Sequence, residues 1–136
     1  MKTPVVLAAL FAMVAMECSA QEALEITYGE AEFLNSCAAC HGADGKGNGP
    51  LAGQLAERPA DLTMLSDRNG GRFPFDRVIA IIDGRFVVPG HGERDMPVWG
   101  RQFLEQDTED FGAEDGEIVT SVRMRELADY LETLQR

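Results

Sequence analysis

Cys37-Ala38-Ala39-Cys40-His41 decides how the rest of this chain is read. Two thiols stand three residues apart, and an imidazole follows the second directly. On a helix, residues three apart share a face, so both sulfurs point one way and His41 comes next beneath them. Several chemistries use such a pair: a structural disulfide, a thiol–disulfide redox pair, a zinc site, and covalent anchoring of a flat, metal-bearing cofactor. The surrounding sequence discriminates among them.

Upstream, residues 1–20 read as a cleaved export signal. Lys2 supplies the positive start, Val5 to Met16 the apolar run, and Cys18-Ser19-Ala20 the small residues before a cut ahead of Gln21. The run is too short to cross a bilayer comfortably, so no stable membrane anchor is expected. Glu17 argues against acylation of Cys18. Processing then leaves Cys37 and Cys40 as the only cysteines of a periplasmic domain over residues 21–136. A disulfide is open to an exported pair. A thioredoxin-like site sits beside a strand–helix–strand pattern, and no strand pattern is found. Zinc needs four good ligands, and beyond the first three only His91 or a carboxylate remains. The pattern that fits is covalent attachment of a c-type haem. Each thiol adds across a vinyl group, and His41 ligates the iron from one side.

Charge narrows the partners. The chain carries a net charge of −11, which disfavours nucleic acid. Lys2 and Glu17 leave together with the leader, so the processed chain keeps that value. Glu105 to Glu117 holds seven carboxylates and no base. That stretch reads as a solvated loop, or as a surface that steers a basic redox partner.

Helical signals organise the remainder. Thr27-Tyr28-Gly29-Glu30 is a capping box, opening a helix over Tyr28–Ala39 that delivers the Cys-x-x-Cys-His run at its end. The glycine-rich segment from Gly42 to Gly53 reads as a tight loop hugging a flat ligand. A turn at Arg58–Thr63 leads into a short helix through Leu65. A second helix spans Phe73–Ile82, with Pro74 in its first turn and Gly84 as its stop. Phe86 to Gly100 reads as irregular, Arg101–Glu105 as a short helix, and Ile118–Leu134 as the last helix with a broad apolar stripe. The expected fold is all-α: three to five short helices and long loops wrapped around the covalently bound haem, which explains loops of that length.

For the second axial ligand the candidates are His91, Met64, Met96 and Met124. Met124 falls inside the last helix and Met64 in a Leu-Thr-Met-Leu turn, where methionine fills gaps. Met96 sits in Asp95-Met96-Pro97-Val98-Trp99, a loop that presents sulfur without a helix blocking its approach, and is favoured over His91. Trp99 is a packing residue or an indole donor to a haem propionate. Arg85 and Arg101 are charged alternatives for that contact.

These residues resemble a class I cytochrome c, the small monohaem carriers, over nearly all of the processed chain. Gly29 and Phe33 match the glycine and aromatic of the family's first helix, and Tyr130 matches its partner on the last. Cys37-Ala38-Ala39-Cys40-His41-Gly42 matches the attachment motif and Met96-Pro97 the distal one. The resemblance implies that Pro50 offers its carbonyl to the ring N–H of His41, orienting it. It also implies outer-sphere electron transfer, with no catalysis by the protein alone, as a free monomer or as a small haem subunit of an exported dehydrogenase or oxidase. A haem enzyme or sensor with a labile distal ligand is the rival. Two departures concern the partner: Lys46 is the only lysine left after processing, so the family's lysine-rich face is missing, and Glu105–Glu117 looks like an insertion.

Overall fold

The computed structural model describes residues 26–84 and 97–136. Five α-helices are present among the described residues: α1 Tyr28–Ser36, α2 Ala38–His41, α3 Phe75–Ile82, α4 Trp99–Phe111 and α5 Ala113–Thr133. Three short 3₁₀ turns, Ala52–Gln54, Leu62–Met64 and Asp67–Asn69, lie between α2 and α3. No strand occurs among the described residues, and the fold is all-helical as the sequence implied.

The Thr27 hydroxyl accepts a hydrogen bond from the Glu30 amide at 3.1 Å, so the predicted cap opens α1. The helix expected to run through Ala39 breaks instead at Cys37, where φ is −113°, far from the helical value near −63°. Cys37 both ends α1 and starts α2. The weak helix formers Asn35-Ser36 are the local sign of that break.

Helix α1 crosses α5 at very short range. A Cβ on Gly29 would lie 2.0 Å from the Glu126 carbonyl oxygen, so only glycine lets the two backbones touch. One turn on, Phe33 is fully buried and its ring centroid lies 5.4 Å from that of Tyr130. Phe33, Val78, Ile82, Phe103, Met124, Leu127, Ala128 and Leu131 form the core. α5 therefore supplies four of its members and packs on α1, α3 and α4.

The acidic stretch is not a loop. It forms the second half of α4 and the first turn of α5, joined at Gly112, so the short helix expected at Arg101–Glu105 runs from Trp99 to Phe111. The reason is tertiary. Asp107 is 3% exposed and accepts from Thr120 Oγ1 at 2.7 Å and from Arg123 Nη1 at 3.0 Å. Arg123 also donates through Nε to Glu32 of α1 at 2.6 Å and stacks 4.0 Å over the Phe103 ring. One guanidinium thus ties three helices together and neutralises part of the acid that local charge repulsion would set against helix formation. The other six carboxylates of the stretch are exposed.

Candidate functional site

The attachment run is held by its own backbone. A four-residue helix leaves its last carbonyls without intrahelical partners, and the glycine-rich loop supplies them. Gly49 N donates to Cys40 O at 3.0 Å, Leu51 N to Ala39 O at 2.9 Å, and Gly47 N to His41 O at 2.7 Å. The close approach that the glycines permit is therefore made to α2. It also extends to the following segment, because a Cβ on Gly47 would fall 2.2 Å from the Pro59 carbonyl oxygen. The loop clamps the Pro59–Ala60 backbone against the histidine.

His41 is 7% exposed. Its Nδ1 lies 3.1 Å from the Ala60 carbonyl oxygen. A carbonyl only accepts, so Nδ1 carries the proton and Nε2 the lone pair, the tautomer a metal-binding imidazole requires. The partner implied by resemblance was Pro50. Pro50 is instead exposed at the outer turn of the loop, while the Gly47–Pro59 contact lays the later segment over the ring. Ala60 was missed because the contact is made by backbone, which no side-chain identity announces.

Cys37 and Cys40 are free, half-buried thiols. Burial first, then the Glu32 carboxylate and Cys40, pushes the Cys37 thiol up to about 12. Redox-active pairs depend on a lowered thiol pKa, so this environment suits a thiol consumed in a permanent bond rather than one cycling as a thiolate.

Arg85, His91 and Met96 lie outside the described residues. Their flanks are close together. A Cβ on Gly84 would meet Val98 Cγ1 at 2.4 Å, and one on Gly100 would meet Asp83 Oδ1 at 2.5 Å. The end of α3 and the start of α4 are thus in direct contact. Trp99 is the first residue of α4, half-buried, with its ring centroid 5.8 Å from that of Phe103. Arg101 is exposed. Met124 is 8% exposed within the core, in the packing role read from sequence, and Met64 closes the 3₁₀ turn Leu62–Met64.

An all-helical domain that presents two free thiols and a tautomer-fixed histidine within the five residues Cys37–His41 has the architecture of a covalent haem carrier. The cytochrome c family model matches residues 26–135, and the chain belongs to the cytochrome c family. No curated protein and no solved structure matches it significantly. The family carries covalently attached haem c, and the residues present fit that group. Cys37 and Cys40 are unpaired for thioether formation, and the Ala60 contact directs the His41 lone pair to Nε2.

Proposed function

We propose that this protein is an exported monohaem c-type cytochrome that passes single electrons by outer-sphere transfer, with His41 and Met96 as axial ligands. Haem-based electron transfer follows from family membership. The haem supplies reversible one-electron exchange at iron. Cys37 and Cys40 anchor it. Ala60 holds the Nδ1 proton of His41 and keeps the ring from turning.

The observation that carries the reading is the His41–Ala60 contact at 3.1 Å, which prepares one nitrogen for a metal. Met96 is supported by its neighbours: Pro97 follows it, and Val98 packs on Gly84. A thioether stabilises the ferrous state, and a second protein ligand leaves no position for substrate. The leader over residues 1–20 supports export to the periplasm, where the haem would be attached. The net charge of −11 and the six exposed carboxylates of Glu105–Glu117 support a redox partner that is basic where it docks.

Absorption spectroscopy of the oxidised protein tests the ligand pair. The wild type shows a low-spin haem and the weak far-red band of sulfur-to-ferric charge transfer, and Met96→Ala loses that band. Its absence from the wild type, or its survival in Met96→Ala, contradicts the assignment.

A further inference from the structure

The Ala60 carbonyl that orients His41 belongs to an irregular segment, so its position is set by whatever holds that segment. Part of the hold is local. Leu62 N donates to Gly45 O at 2.7 Å, and Asp61 accepts from the Thr63 amide at 3.0 Å and its hydroxyl at 2.6 Å. The rest comes from beyond α5, seventy residues away in sequence. The Gln135 side-chain amide donates to Leu62 O at 2.8 Å and to Leu131 O at 2.7 Å, and its carbonyl accepts from Ser66 N at 2.9 Å. Arg136 adds a backbone bond to Thr63 O at 3.1 Å, a guanidinium bond to Thr63 Oγ1 at 2.8 Å and an ion pair with Asp61 at 3.1 Å.

We propose that Gln135 and Arg136 are positioning residues for the haem ligand His41, acting through the segment from Ala60 to Ser66. The inference rests on the reading of His41 as the iron ligand. Gln135 bridges an end-of-helix carbonyl of α5 and a carbonyl two residues past Ala60, so the register of the last helix fixes the acceptor of the ring N–H. Arg136 pins the residue between. A firmly held acceptor raises the basicity of the imidazole and favours ferric iron. Loosening it favours ferrous iron and moves the reduction potential positive.

The test uses the haem-loaded protein, with redox titration and NMR measurement of His41 ring N–H exchange in wild type, Gln135→Ala, Arg136→Ala and Arg136→Lys. Arg72→Ala is the control, since Arg72 is exposed and its side chain is outside the clamp. Gln135→Ala and Arg136→Ala should shift the potential positive by roughly three- to tenfold in the one-electron equilibrium, up to about 59 mV. Ring N–H exchange should quicken, and Arg136→Lys should restore both. Arg72→Ala should move the potential slightly negative or not at all, because removing a cation alone favours ferric iron. Wild-type potential and exchange in both alanine variants overturn the proposal, as does Arg136→Ala shifting negative like Arg72→Ala. If Gln135→Ala does not fold, Arg136→Ala decides, its side chain being 55% exposed. Failure of the underlying reading is distinct: the wild type itself would then lack a low-spin, histidine-ligated haem.

Discussion

Arg123 Nε stands 2.6 Å from Glu32 Oε2, joining the last helix to the first five residues before Cys37. Both side chains are nearly buried, at 12% and 8% exposure, and Asp107 at 5% completes the cluster. Ser36 Oγ donates to the other Glu32 oxygen, so each carboxylate has its partners.

Removing the arginine strands two buried carboxylates, and breaking such a cluster costs about 3–5 kcal/mol. Arg123→Ala should lower the urea midpoint accordingly. Arg123→Lys should recover only part of the loss, since a single ammonium does not reproduce the fork that reaches Glu32 and Asp107 together. A midpoint for Arg123→Ala within error of wild type contradicts this account of the helix contacts.

Gly29→Ala tests the crossing of α1 and α5. The added methyl would meet the Glu126 backbone oxygen at 2.0 Å, and that oxygen cannot swing away as a flexible side chain would. Overpacking of this kind costs about 1–3 kcal/mol, outweighing the helix propensity gained by alanine. Urea unfolding should show a clear net loss; stabilisation would mean that the helices have room to separate.

The apolar spacing on α3 and α5 made those helices legible, and the Thr27 box marked the start of α1. Cys37, Cys40 and His41 were legible because covalent and metal chemistry demands particular side chains at fixed spacing. Ala60 was not, because its role belongs to a carbonyl that every residue has. The α4 helix was hidden for a different reason. Asp107 occupies a core-facing position usually held by an apolar residue, and only its distant partners Thr120 and Arg123 make that stable. A run of acid reads as solvated until the tertiary partner is known.

Acid should weaken the clamp beneath His41. The Asp61 carboxyl lies below its ordinary value of 3.8, held there chiefly by the Thr63 hydroxyl, then by the Thr63 amide and the Arg136 and Arg68 cations. The folded form therefore binds that proton less readily than the unfolded form. Its contribution to stability is complete above the ordinary carboxyl range and is lost as pH falls through the lowered folded value. Unfolding measured across that range should show a steeper acid loss for wild type than for Asp61→Asn. Parallel curves would contradict the assignment.

Intact mass measurement of the protein from an exporting host tests the leader and the linkage together. Adding a thiol across a vinyl group loses no atoms, so the expected mass is that of residues 21–136 plus one haem. Cys37→Ala and Cys40→Ala should each retain one thioether, and the double variant should release its haem on denaturation. Haem lost from the denatured wild type would exclude covalent attachment.

Carbon monoxide offered to the dithionite-reduced protein tests the assignment of two axial protein ligands most directly. With His41 and Met96 both on iron, the ferrous spectrum should barely change at neutral pH, whereas Met96→Ala should bind the gas readily. Ready binding by the wild type would show an open distal position and contradict the assignment of this chain as a simple electron carrier.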